Sequence, residues 1–503
     1  MRNSKITLDK AFRRAVPIDN RLYSAFMEHM RNVIYQGIYN PKHPSCDENG
    51  FRQDVIDLVK DLNLTSIRYP GGNYICSYNW EDTVGPVEKR PKRMDLAWQQ
   101  VEPNIIGPAE FEKWLEKIGS KLIMAVNLST RDAVAAANEV EYFNYPEGTY
   151  YSDLRKEHGH PHPYDVRVWC VGNEVDGPWN IGQKKAETYA WDAAEAAKAM
   201  KRIDPGIELV AVGSSGTQLD TYLEWDRIVL EHVYEVCDYI SLHRYMGHPD
   251  IDRKYTYNPN DVGDYLELAG RLEQTIKDVI ATCDYVKGKI GSKKQINISL
   301  DEYNVVDIEK TSSLSDDREG LSMQATLMFG LSMLAIMRHS DRIKIACQSI
   351  LINGDGMVMC EGNDNAWVNG TYYVFQHCSK FGRGIILEQI ESIPLYNTST
   401  VCDAKTMDSI CIYHEDTGEL DIFAINKTDE TMIFTLEAAQ FKSLKAIEHI
   451  ELSSPHLTDC NSVQHPDTIK PVSKQDITVT SEKVDCVLNK YSWNVLRLKE
   501  DEA

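Results

Sequence analysis

Eight short apolar runs, separated by stretches with helical spacing, limit what this chain can fold into more than any other feature. The runs are Leu22–Glu28, Ser66–Tyr69, Leu122–Leu128, Val166–Val171, Ile207–Val212, Tyr239–Leu242, Ile296–Leu300 and Lys344–Ile352. Near-continuous apolar runs of this length read as strands buried on both faces. Between them, Phe51, Val55, Leu58, Val59 and Leu62 recur at helical spacing. Gly107-Pro108 opens a second helix with Phe111, Trp114, Leu115 and Ile118 on one face, and Gly119 closes it. Gln183–Ile203 and Leu321–Met337 supply further helices. Strand–helix alternation repeated eight times from Leu22 to Gly384 predicts an α/β chain built on a (β/α)8 TIM barrel. A doubly wound open sheet is the rival. It would carry a Gly-rich phosphate turn after an early strand, and the sequence has neither G-x-G-x-x-G nor a P-loop.

Beyond Gly384 the texture changes. Ser409–Tyr413 and Leu420–Ile425 flank the turn Glu415-Asp-Thr-Gly418, and short alternating strands follow with no helix between them. This predicts a C-terminal all-β sandwich of jelly-roll type. The expected domains are an N-terminal segment, 1–17, packing with the β-domain, a catalytic barrel, 18–384, and the sandwich, 385–503. A formal charge of −22 argues against nucleic acid or an anionic membrane as partner, because both need a basic surface. Leu327–Met337 is too short to span a bilayer. The first residues lack the apolar core of a secretory signal, and the twelve cysteines show no paired spacing. Together these predict a reduced, cytoplasmic protein.

Barrel enzymes place their chemistry at the C-terminal ends of the strands. Those ends read Glu28-His29, Arg68 with Pro70-Gly-Gly-Asn73, Asn127, Asn173-Glu174, Ser214-Ser215, His243 with Tyr245, Asp301-Glu302, and Gln348 with Asn353. Glu174 and Glu302 sit at mouths four and seven, across the barrel from each other, and fit the two carboxylates of retaining glycoside hydrolysis. Trp169 and Trp179 offer apolar walls for a proton donor, and Arg68 or Tyr245 can hydrogen-bond Glu302. Metal is not expected. Glu28 and His29 are strand neighbours that point to opposite faces, and His158-Gly-His-Pro-His162 reads as solvated loop. His243 taken alone is equally a satisfied core histidine.

Several motifs in order, Arg68-Tyr-Pro-Gly-Gly-Asn73, Tyr78-Asn-Trp-Glu-Asp82, Gly85–Pro91, Gly172-Asn-Glu-Val-Asp-Gly-Pro-Trp179, Ser241-Leu-His243 and Asp301-Glu-Tyr-Asn304, resemble the intracellular α-L-arabinofuranosidases of glycoside hydrolase family 51. The resemblance implies a retaining exo-enzyme that releases terminal α-L-arabinofuranosyl units from arabinan- or arabinoxylan-derived oligosaccharides, without a cofactor. It implies Glu174 as acid/base and Glu302 as nucleophile, with Glu28, Asn73, Asn173, Tyr245 and Gln348 holding hydroxyls or the nucleophile and Arg68 on the site floor. Trp179 and His243 join the substrate-binding set. It also implies a homo-oligomer, a hexamer in the family. A β-xylosidase, galactofuranosidase or endo-glucanase on the same scaffold, or a silent sugar-binding protein, are the alternatives. Ile105-Ile106, Tyr303 and the 361–370 loop depart from the family pattern and leave aglycone preference open.

Overall fold

The computed structural model describes residues 2–247, 257–258, 260–307, 319–438, 440–441, 443–480 and 483–500. Eight parallel strands close into a barrel: β1 (Ser24–Phe26), β2 (Ser66–Tyr69), β3 (Lys121–Ala125), β4 (Val168–Cys170), β5 (Glu208–Ala211), β6 (Tyr239–Met246), β7 (Asn297–Val305) and β8 (Ile343–Gln348). β8 pairs with both β7 and β1, so no edge is left open. The helix read from Pro108 ends at Ile118, and Gly119 caps it in the left-handed conformation. The Ala-rich helix begins at Ala186, three residues later than its composition suggests. Leu321 is not helical. It lies in a short strand, Glu319–Ser322, that pairs with Cys460–Ser462 of the β-domain, and the helix starts at Met323. Among the described residues no helix is long and apolar enough to cross a membrane.

The C-terminal sandwich is one ten-stranded ladder rather than two separate sheets. Arg2–Arg13 is its seventh strand, antiparallel to Ile385–Ser392 and parallel to Met432–Glu437. Leu444–Leu452, near one end of the ladder, meets Thr478–Val479 at the other, so the sheet curls back on itself. Strand periodicity then sorts the side chains. Met407, Cys411, Leu420, Ile422, Leu496 and Leu498 fill the sheet's own core. Their neighbours Ile410, Ile412, Phe423, Ile425, Trp493 and Val495 face the other way and join the barrel's core. Trp493 is the centre of that junction. It is fully buried, tilts against Phe423 at 5.7 Å, and donates from Nε1 to Nδ1 of His377 at 3.1 Å. Burial pushes His377 down to about 3, so the imidazole stays neutral and accepts.

Removing this indole should leave a cavity between barrel and sheet. Trp493→Ala is expected to lower the unfolding free energy by about 3–5 kcal/mol, read as an earlier urea midpoint. A loss below about 1 kcal/mol would mean that the two cores do not depend on this residue.

Candidate active site

β4 delivers Glu174 through a strained turn. Gly172 has φ +111°, a backbone conformation that favours glycine, and Glu174 itself sits at φ +45°. The turn is held because the backbone N–H of Gly177 and the side-chain amide of Asn180 both donate to the Glu174 carbonyl, at 2.9 and 2.7 Å. Such strain persists only where its surroundings over-determine it, which suits a functional position. The carboxyl group is buried. Trp179 Nε1 donates to its Oε2 at 2.7 Å, and His243 Nδ1 lies 3.0 Å from Oε1. Trp169, expected as a wall for this acid, is instead spent on the barrel exterior. It donates to the Val166 carbonyl and packs edge-on against Phe143.

Glu302 arrives by a different device. The pairing of β7 shifts register between Ser299 and Glu302 on one side and between Leu300 and Tyr303 on the other. Such a bulge re-aims side chains and breaks strict alternation. Asp301 and Glu302, though neighbours, therefore both approach Arg68. Glu302 Oε1 accepts from Arg68 Nη1 at 2.9 Å, and Asp301 Oδ2 lies 3.6 Å from Arg68 Nε. The other Glu302 oxygen accepts from the Tyr245 hydroxyl at 2.8 Å, and that hydroxyl also bonds Ser349 Oγ at 2.7 Å. Arg68 Nη2 donates to Asn173 Oδ1 at 2.6 Å, and Asn173 Nδ2 donates to Asn73 Oδ1 at 3.2 Å. Five expected site residues thus form one chain of contacts: Asn73, Asn173, Arg68, Glu302 and Tyr245.

His243 closes the circuit between the two glutamates, with Nδ1 3.0 Å from Glu174 and 3.6 Å from Glu302. Burial alone would lower its proton affinity. The Glu302 charge and the hydrogen bond to Glu174 outweigh burial, and the pKa is raised. One ligand atom from each of Glu174, His243 and Glu302 lies within 4.8 Å of the others. One oxygen of each carboxyl group is thus nearer to the other than the separation of about 6.5–9.5 Å that leaves room for a water in inverting glycosidases.

Glu28 is a further buried carboxyl. Its Oε2 accepts from the Tyr74 backbone N–H at 3.1 Å, and a Cβ at Gly72 would stand 2.5 Å from that oxygen. Gly72 therefore makes room for an acid. Burial first, and then the Glu302 charge, push Glu28 up to about 8, so near neutral pH it carries a proton and can donate. Its neighbour His29 turns away to Glu102 and Tyr69, so the two do not converge on an ion. Gln348 is fully buried, and neither amide atom has a hydrogen-bond partner.

Not every polar mouth residue serves the site. Asn127 bonds the Tyr78 carbonyl and Thr130, and Asn353 bonds the Asn32 carbonyl and the Cys360 N–H. Ser214 and Ser215 serve the buried carboxylates Asp226 and Asp176. Burial, set against the Ser215 hydrogen bonds, raises Asp176 to about 6. Sequence reasoning passed over Asp176, although it lies two residues beyond Glu174 in the same motif. Tyr303 lies outside the pocket, stacked near Phe329 with its hydroxyl on Met333 Sδ. The 361–370 loop is clamped through its backbone. Arg52 donates to the carbonyls of Gly362 and Asp364, and Ala366 N–H donates to Asp54.

Residues 58–261 match the profile described as alpha-L-arabinofuranosidase 1 domain, and 301–492 that of the alpha-L-arabinofuranosidase C-terminal domain. The intracellular exo-alpha-(1->5)-L-arabinofuranosidase 1 of Bacillus subtilis (strain 168) is 42% identical over 99% of this chain and 100% of its own length. The chain belongs to the α-L-arabinofuranosidases of glycoside hydrolase family 51. An exo-alpha-(1->6)-L-arabinofuranosidase of Bifidobacterium longum is 35% identical over 99% of this chain and 98% of its own. Among solved structures, the family 51 enzyme AbfB of Bifidobacterium longum superposes with a TM-score of 0.91 at 32% identity, covering 99% of this chain and all of that one. The arabinose complex of the Thermotoga maritima enzyme gives 0.88 at 28%, with 99% and 100% covered.

Among the described residues, Glu174, His243 and Glu302 are the one group of three or more acidic, histidine or cysteine side chains placed closely enough to hold a metal ion. A metal would need the Nδ1 lone pair of His243, which the two glutamates favour filling with a proton. Activity is therefore expected to survive exhaustive dialysis against EDTA. Loss on chelation, with recovery on adding back a divalent cation, would contradict this.

Proposed function

We propose that this arabinofuranosidase is an exo-acting, retaining hydrolase of terminal α-L-arabinofuranosyl units on small oligosaccharides, with Glu302 as nucleophile and Glu174 as acid/base. The observation that carries the reading is the close approach of these two buried glutamates, each with both oxygens already oriented by named donors. In the first step a Glu302 oxygen bonds the anomeric carbon while Glu174 gives its proton to the departing glycosidic oxygen. In the second, Glu174 takes a proton from water as that water attacks the anomeric carbon and releases Glu302. Arg68 and Tyr245 orient the nucleophile at its two oxygens. Between the two steps, once Glu174 has given up its proton, His243 donates to it.

The remaining residues suit a small polyol. Protonated Glu28 donates to a hydroxyl, Asn73 and Asn173 offer amides, and the unpartnered amide of Gln348 gains the partners it lacks. Trp179, half-exposed at 46%, borders the acid from the solvent side and suits the aglycone. We extend to this chain the α-1,5 linkage and the intracellular setting named for the Bacillus subtilis relative. We extend assembly as a homo-oligomer to it as well, on the family resemblance alone. A silent sugar-binding protein would have no use for two glutamates facing each other across a shared imidazole.

Two alanine variants separate the roles. Glu302→Ala should abolish turnover of every substrate, whatever the leaving group. Glu174→Ala should lose about 10²–10⁴-fold or more on arabino-oligosaccharides, yet still form a glycosyl-enzyme from a nitrophenyl arabinofuranoside. Azide should then restore its turnover and give the arabinosyl azide of retained configuration. With Glu302→Ala, azide should attack from the vacated face and invert. Rescue of neither variant, or the opposite dependence on leaving group, would overturn the assignment.

A further inference from the structure

Asp301 takes no part in the mechanism above, yet its carboxyl group is buried in the barrel next to the nucleophile. Its Oδ1 accepts from Ser299 Oγ, its Oδ2 accepts from Cys170 Sγ at 3.5 Å, and Oδ2 stands 3.6 Å from Arg68 Nε. The guanidinium is fully buried and has two carboxylates, from adjacent residues, on two of its nitrogens. Ordinary strand alternation would send one of them to the opposite face. The register shift of β7 prevents this.

We infer that Asp301 is a positioning residue that shares the charge of Arg68 with Glu302, so that the arginine orients the nucleophile without withdrawing its negative charge. A carboxylate that is sole partner to a buried guanidinium is strongly stabilised, and a stabilised anion is a weaker nucleophile. A second carboxylate on the Nε edge divides that stabilisation. The groups facing Glu302 make the division consequential. Arg68 comes from β2, Glu28 lies beyond β1, Tyr245 and His243 come from β6, Glu174 follows β4, and the neutral thiols of Cys170 and Cys347 lie on β4 and β8. Arg68 is the one fixed cation among them, because the charge of His243 depends on its proton. How that one charge is apportioned therefore bears on the reactivity of Glu302.

The inference rests on the reading of Glu302 as nucleophile, and its test fails differently. Asp301→Asn keeps the size of the side chain and removes the charge. On a nitrophenyl α-L-arabinofuranoside, kcat/KM should fall at least about three-fold, and the acidic limb of its pH profile should move about one unit lower. The sign follows from removing a negative neighbour, which makes ionisation of the nucleophile easier. Formation of the glycosyl-enzyme should slow while its breakdown, with Glu302 as leaving group, should not, so any pre-steady-state burst should shrink. A purely structural role would lower the rate with the limb in place. Asp301→Ser provides a second neutral variant. Ser299→Ala, which keeps the charge but loosens its hold, should move the limb the same way by less. If the limb of every variant that folds superposes on that of the parent enzyme, the inference is overturned. If Glu302 is not the nucleophile, the azide experiment on Glu302→Ala fails first, independently of Asp301.

Discussion

The site depends on one buried cation. Arg68 has no exposed surface, and a guanidinium taken wholly out of water is tolerated only where charge and hydrogen bonds replace its hydration. Here the replacements are the functional groups themselves: Glu302, Asp301 and Asn173. The same contacts that solvate Arg68 therefore fix the nucleophile and reach, through Asn173, the turn that carries Glu174. Deleting the arginine would strand two carboxylates in the interior, which is costlier than never having buried the set. Positioning and stability are here the same set of interactions.

Around this cation the protons are distributed unevenly over otherwise similar acids. Glu28, with one backbone donor and an acidic neighbour, holds a proton up to about 8. Asp176, supported by both the amide and the hydroxyl of Ser215, rises only to about 6. His243, between two glutamates, keeps its proton more firmly than a free imidazole. The division of labour among groups of one chemical type comes from burial and from the number of donors each one receives.

Much of this is legible in the sequence. Eight apolar runs with helices between them call for a parallel sheet covered on both faces, and the lack of a Gly-rich phosphate turn favours the closed barrel over a doubly wound sheet. Glu174 stood out as an acid at the end of an apolar strand, and the ordered motifs pointed to the family. What the sequence concealed was local geometry that breaks a simple period. The bulge in β7, which turns both Asp301 and Glu302 inward, leaves no mark in composition. Trp169 looked like a pocket wall because it neighbours the site in sequence, but strand alternation sends it outward onto Phe143. Asn127 and Asn353 stand at strand mouths beside the site residues, yet their side chains tie down the neighbouring backbone instead.

The claim that Glu174 and Glu302 act as acid/base and nucleophile in a double displacement is tested most directly by stereochemistry. Proton NMR of the first product released from an α-L-arabinofuranoside, recorded before mutarotation, reads the anomeric configuration of each turnover. Two inversions at the anomeric carbon predict that α-L-arabinofuranose appears first and the β anomer only later. The β anomer as first product would mean a single displacement by water and would contradict the covalent role assigned to Glu302.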